Sequence, residues 1–147
     1  MISIGNGYAW NLLAATVMGL QCFAAGHSVY DARKKYKVDY PDMGSGRFSA
    51  KLSDKEWAEF NNIMRVHQNY VEQLPLAILS VLVNGLFNPI QSAIAGEVYI
   101  IGRFIYAYGY KSHGPKGRMT GAMITILAIL FNVGSSFVGI YNTLKSA

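Results

Sequence analysis

Apolar residues gather into four stretches, separated by polar segments rich in lysine, arginine, glycine and proline. The first, Tyr8 to Tyr30, is long enough as a helix to cross the ~30 Å hydrocarbon core of a bilayer. Trp10 and Tyr30 stand near its ends, where amphipathic aromatics favour the interface. A polar, basic loop from Asp31 to Leu52 is expected next, and its Gly44-Ser45-Gly46 reads as a turn rather than a phosphate cradle. Ser53 then opens a second helix running to about Phe87. Glu56, three residues on, completes a capping box, and Asp54 suits the positive end of the helix dipole. Pro75 lacks an N–H and crowds the carbonyl of Val71, which predicts a kink. Asn88-Pro89 turns the chain into a third span, about Ile90 to Tyr110. KSHGPKGR reads as a loop, and Met119 to Leu144 as the fourth span. Short connections make the later spans antiparallel neighbours. The expected fold is all-α and integral to the membrane, a four-helix up-and-down bundle forming a single domain over residues 1–147.

Composition supports the membrane reading. Only 14% of the residues are charged and 52% are hydrophobic, where a soluble domain carries about 25% charged residues. The net charge of +5 does not point to nucleic acid, because no recognised binding motif accompanies it. Its cations cluster instead in two connecting segments, Arg33 to Lys55 and Lys111 to Arg118, as in loops on the cytosolic side of a membrane. Both termini are then expected on the opposite side. The first apolar run has no basic segment before it, so it reads as a retained span rather than a cleaved signal peptide. Cys22 is the single cysteine, which rules out an intrachain disulfide and a cysteine-built metal site. No His, Cys and carboxylate cluster at ligand spacing is present, and no metal is expected.

Two polar stripes interrupt the apolar pattern. Arg65, Asn69 and Glu72 follow one another at i, i+4 and i+7, on one helix face. Arg103, Tyr106 and Tyr110 form a second stripe at i, i+3 and i+7. Ionisable groups at membrane depth cost roughly 2.5–3.5 kcal/mol each on insertion scales and face the bundle interior or a wet cavity. Two readings follow. In one, Glu72 or Glu97 pairs with Arg103, or Glu72 with Arg65, and the pairs only hold the bundle together. In the other, the stripes bind a small zwitterion, the arginine fork taking a carboxylate and the glutamate an amine. His67 lies between Arg65 and Asn69, with its side undecided.

The segments ARKKYKVDYP, FNNIMRVHQNYVEQLP and GRFIYAYGY followed by GPKGR together resemble the MAPEG family, the membrane-associated proteins of eicosanoid and glutathione metabolism. The likeness extends from the first span to the fourth. It implies a homotrimer in the endoplasmic reticulum membrane that binds glutathione between neighbouring subunits, near the cytosolic side. Carried onto this chain, Arg65, Asn69, Glu72 and Tyr106 match the residues that hold the γ-glutamyl end. Arg33 matches an arginine near the glycine carboxylate, and His67 and Tyr110 fall on further pocket positions. Arg118 matches, across a one-residue difference in loop length, the arginine that stabilises the glutathione thiolate.

The resemblance therefore implies a membrane glutathione transferase with glutathione peroxidase activity on lipophilic electrophiles and lipid hydroperoxides. Lys34 and Gln73 depart from the leukotriene-forming branch of the family, where an arginine and a tyrosine stand. Tyr106 replaces the histidine of its prostaglandin E-forming branch. The alternatives are a leukotriene-forming conjugating synthase and a non-catalytic, lipid-binding scaffold, which the retained arginine, asparagine, glutamate and tyrosine set disfavours. A transporter would call for paired, broken helices, which the pattern lacks. The charge distribution yields a first prediction. Protease added to sealed microsomes should cut near Arg47 and leave a C-terminal tag intact, whereas a protected loop with a digested tag would invert the topology.

Overall fold

The computed structural model describes residues 5–146. Within them the chain forms four long helices: α1 (Asn6–Tyr36), α2 (Asp54–Phe87), α3 (Pro89–Gly117) and α4 (Met119–Ser146). A 3-10 turn, Ser49–Lys51, lies in the connection between α1 and α2. α1 packs on α2 and α3, and α4 packs on α3 and α2. Helices α1, α2 and α4 are long and apolar enough to cross a membrane. α3 is not among them, since Gln91, Glu97, Arg103 and four tyrosines dilute its apolar character. Large apolar side chains such as Leu20, Phe23, Leu86, Phe104 and Phe137 cover the outside of the bundle, as a lipid-facing surface requires. Met18, Tyr70, Val81 and Tyr99 fill its middle.

Two expected boundaries are corrected. α1 continues six residues beyond Tyr30, through a segment read from sequence as loop. Alanine, arginine and lysine are good helix formers, and Arg33, Lys34 and Lys35 in the last turn favour the negative end of the dipole. Lys37 ends the helix in the left-handed conformation (φ 54°), its N–H bonded to the Arg33 carbonyl. At the other correction, KSHGPKGR is almost entirely helical rather than a loop. Gly114 breaks the helix at φ 68°, and Pro115 follows it, where a missing N–H costs least at the start of a new helical turn. Arg118 alone separates α3 from α4. By contrast, the capping box at Ser53 and Glu56 is present as expected. α2 continues as one helix through Pro75.

Glycines set how closely α3 and α4 approach. A Cβ at Gly121 would collide with the backbone of Tyr106, and one at Gly109 with the carbonyl of Gly117, where the last turn of α3 folds back past Gly114. At the end of the bundle away from the basic loop, buried asparagines tie the helices together. Asn84 donates to Asn132 at 2.7 Å, Asn88 donates to Asn84 at 3.1 Å, and Asn11 reaches the Pro89 carbonyl at 2.8 Å. Hydrogen bonds of this kind make buried amides tolerable where water is excluded, though the Asn11 Oδ1 itself has no partner.

The basic connection folds around Asp42. Its carboxylate accepts backbone N–H groups from Gly44, Gly46, Phe48 and Ser49 at 2.7–2.9 Å, and the Ser49 hydroxyl at 3.0 Å. Gly44, at φ 106°, supplies a conformation that other residues rarely adopt. Its carbonyl takes the Trp57 indole N–H at 2.8 Å, docking the loop on α2. Burial works to raise the Asp42 pKa, but the converging donors from Ser49, Gly44 and Gly46 outweigh it and hold the carboxyl well below the usual range. A lowered folded-state pKa contributes stability that is complete above the ordinary aspartate value of about 3.9 and fades as pH falls below it. Asp42→Asn replaces an acceptor oxygen with a donor. It should open the loop, so that trypsin cuts at Arg47 and Lys51 several-fold faster at neutral pH. An unchanged cutting rate would remove Asp42 from that role.

Candidate functional site

Arg103 is 2% exposed and sits where α3 crosses α2. One terminal nitrogen donates to the Asn69 side chain at 2.8 Å and the other to the Val66 carbonyl at 3.2 Å. The guanidinium also lies over two rings, 4.1 Å from the Tyr70 centroid and 4.5 Å from that of Tyr106. Hydrogen bonds to a charged group contribute about 1.5–3 kcal/mol each, and a desolvated cation–π contact about 2 kcal/mol. Such contacts offset the roughly 2.5–3.5 kcal/mol insertion cost, while the buried Nε is left without a partner. The cation is thus held by neutral groups. Among the described residues no carboxylate pairs with Arg103 or Arg65, so the ion-pair reading of the stripes is not what the fold builds.

The second stripe is brought together as its spacing predicts. Tyr106 and Tyr110 are both buried, with ring centroids 5.7 Å apart. Arg118, carried in by the sharp α3–α4 turn, donates to the Tyr106 hydroxyl at 3.3 Å and lies 5.7 Å from the Tyr110 centroid. The close helix approach allowed by Gly109 and Gly121 is what lets a residue of the connection reach Tyr106. Asn69, Arg103, Tyr106, Tyr110 and Arg118 therefore form one continuous polar seam. Its two guanidinium groups meet the same tyrosine, Arg103 over the Tyr106 ring and Arg118 at the hydroxyl.

The other residues singled out from sequence flank this seam or lie apart from it. Arg65 and Glu72 are exposed on α2, and Arg65 donates to Gln68 at 3.1 Å. Among the described residues Glu72 has no hydrogen-bonding or ionic partner. His67 packs on α1, its Nε2 3.2 Å from where a Cβ on Gly26 would stand. Arg33 is buried elsewhere, at the end of α1. It donates to the Val38 carbonyl at 3.1 Å and stacks 4.1 Å from the Tyr40 centroid, so a single chain does not bring it to the seam.

Sequence reasoning placed Arg103 on the second stripe, but the resemblance gave it no role, and helical spacing alone cannot show that it reaches Asn69 on another helix. Tyr70 and Gln21 were missed altogether. The Tyr70 hydroxyl donates to Gln21 at 2.5 Å, and Gln21 in turn donates to the Ile100 carbonyl at 3.1 Å, linking α1, α2 and α3 beneath Arg103. The signal for Tyr70 was its place next to Asn69 within the polar segment RVHQNYVEQLP.

The arrangement can offer positive charge and tyrosine hydroxyls to an anion, with an exposed carboxylate available to an amine. The MAPEG family profile matches residues 11–138. Microsomal glutathione S-transferase 2 of Homo sapiens is 36% identical over 115 residues, 76% of this chain and 69% of that protein. The Bos taurus protein of the same name is 34% identical over the same shares. Inner membrane protein YecN of Escherichia coli (strain K12) is 30% identical over 124 residues, 82% of this chain and 85% of its own. With a family match across most of its length and the four-helix fold, the chain belongs to the MAPEG family.

Proposed function

We propose that this protein is a membrane glutathione transferase that presents glutathione as its thiolate to lipophilic electrophiles and reduces lipid hydroperoxides. The observation that carries the reading is the pair of guanidinium groups, Arg103 and Arg118, around Tyr106 with no carboxylate closing on either among the described residues. Such a site favours a ligand that becomes negative. The relatives named microsomal glutathione S-transferase support glutathione as that ligand. Within the family the residue pattern resembles the type 3 branch, whereas these relatives carry the type 2 name. The proposed activity is the one both names share. Their microsomal designation also favours the endoplasmic reticulum membrane.

In this reading Arg65 and Asn69 take the γ-glutamyl carboxylate and Glu72 takes the amine. Tyr106 borders that γ-glutamyl end with them, and His67 and Tyr110 line the rest of the glutathione site. Arg33, which lies apart from the seam within one chain, meets the glycine carboxylate from a neighbouring copy of a homotrimer. An ordinary thiol has a pKa near ~8.5, so few molecules are ionised at neutral pH. Lowering it by about two units takes roughly 2.7 kcal/mol, and a guanidinium at 4 Å can supply about 4 kcal/mol at an effective dielectric of 20. Arg118 is assigned that task. The thiolate sulfur then attacks an electrophilic carbon, and the leaving group departs with the bonding pair. With a hydroperoxide it attacks the terminal oxygen and the O–O bond breaks. The released alkoxide takes a proton to become an alcohol, and the glutathione sulfenic acid condenses with a second glutathione to give the disulfide and water.

Arg118→Ala should retain glutathione binding but lose the ultraviolet thiolate band and most turnover, with Arg118→Lys restoring part of both. Glu72→Gln should instead weaken glutathione binding by about 1.5–3 kcal/mol, the range of a charge-assisted hydrogen bond. A pH titration of the thiolate band that is identical in wild type and Arg118→Ala would take Arg118 out of the mechanism. Unchanged glutathione affinity in assembled Glu72→Gln would detach the α2 stripe from the ligand.

A further inference from the structure

Of the segment ARKKYKVDYP, the chemistry above uses only Arg33. This arginine is 6% exposed in the last turn of α1. Lys37 turns the chain there, and the residues from Val38 to Met43 come back over the guanidinium. One terminal nitrogen donates to the Val38 carbonyl at 3.1 Å, and the Tyr40 ring centroid lies 4.1 Å from the guanidinium carbon. The Nε has no hydrogen-bond partner among the described residues, and the other terminal nitrogen meets only the Met43 thioether at 3.4 Å. We propose, resting on the assignment of Arg33 to the glycine carboxylate, that Tyr40 is a positioning residue for glutathione. Its ring fixes the plane of the Arg33 guanidinium so that the Nε edge receives that carboxylate.

The donors left over point to the edge that is used. A guanidinium takes a carboxylate best through two parallel N–H bonds, and the Nε with its neighbouring terminal nitrogen forms such a fork. That edge of Arg33 is the one without an oxygen acceptor. A thioether is a weak acceptor, and Met43 is exposed, so it can give way to a carboxylate. Nor does the chain fill the fork itself. Among the described residues no carboxylate pairs with Arg33, and Asp42 in the same loop is occupied by backbone N–H groups and Ser49. Tyr40 is well placed to hold the plane because the chain is anchored on both sides of it. Val38 is fully buried in the cluster around Phe60. Asp42 is tied by its own N–H to the Asp39 carbonyl at 3.1 Å and by its carboxylate to the rest of the loop. The Tyr40 ring is 72% exposed and adds little to any core, so its contact with Arg33 is what its position achieves. A mobile arginine would have to be ordered when the ligand binds, and a stacked one is ordered beforehand.

The test is calorimetry on the full-length, assembled protein with two probes, glutathione and its glycyl monoethyl ester, which lacks the glycine charge. Wild type should hold the acid more than about tenfold tighter than the ester, as expected for a charge-assisted hydrogen bond. Tyr40→Ala should weaken acid binding roughly three- to tenfold, within the range of a cation–π contact, and leave ester binding unchanged. Tyr40→Phe keeps a π face and should keep the wild-type preference. Should Tyr40→Ala fail to assemble, Tyr40→Leu, of similar bulk and without a π face, is read in the same way. A role in folding alone would weaken both ligands equally, and that result would overturn the proposal. Arg33→Ala separates this claim from the assignment beneath it, and should erase the preference for the acid. If it does so while the Tyr40 variants leave the preference whole, Arg33 keeps its role and Tyr40 loses the one proposed. If the preference is absent from wild type or survives Arg33→Ala, Arg33 does not meet the carboxylate and the role of Tyr40 falls with it.

Discussion

The Arg103 guanidinium, held inside the bundle by neutral partners, is the interaction on which the rest depends. It joins α3 to α2 through Asn69 and the Val66 carbonyl and presses against Tyr70 and Tyr106. A buried cation paired with a carboxylate would have spent its field locally, since close opposite charges cancel at a distance. Dipoles and π faces solvate the charge without cancelling it. The positive potential therefore persists at Tyr106, where Arg118 adds to it. One desolvated charge thus connects packing, site electrostatics and the proposed preference for anionic ligands.

The position of Arg118 depends on a different constraint. A residue between two helices would ordinarily be free to follow solvent. Here Gly114 reverses the backbone, Pro115 restarts the helix, and Gly109, Gly117 and Gly121 let the two backbones touch. The connection is consequently shaped against α3. Its arginine is directed to a tyrosine already oriented by Arg103, an economical way to preorganise a charge for a thiolate.

Much of this was legible in sequence because it rests on periodicity. The four apolar stretches, the Ser53 capping box and the two stripes at helical spacing follow from local rules, and helices α1 to α4 occupy those positions. Less legible were features set by contacts between helices. Spacing placed Arg103 beside Tyr106 but could not show whether its partner was Glu72, Glu97 or a neutral amide. Charge density made ARKKY look like loop, although the same cations stabilise a helix C-terminus. Gly-Pro in KSHGPKGR marked a turn and hid the helix on either side of it. Arg33 was assigned through resemblance alone, and the single chain leaves it in its own cluster with Val38 and Tyr40.

The central claim is that uncancelled positive charge at the seam binds glutathione as a thiolate. Calorimetry of glutathione binding to the wild-type protein at pH 7, in two buffers of different ionisation enthalpy, counts the protons released. For a thiol brought from ~8.5 to about two units lower, roughly 0.7 proton should leave per molecule bound. Tight glutathione binding with no proton release would contradict the account, because the ligand would then be held as its neutral thiol.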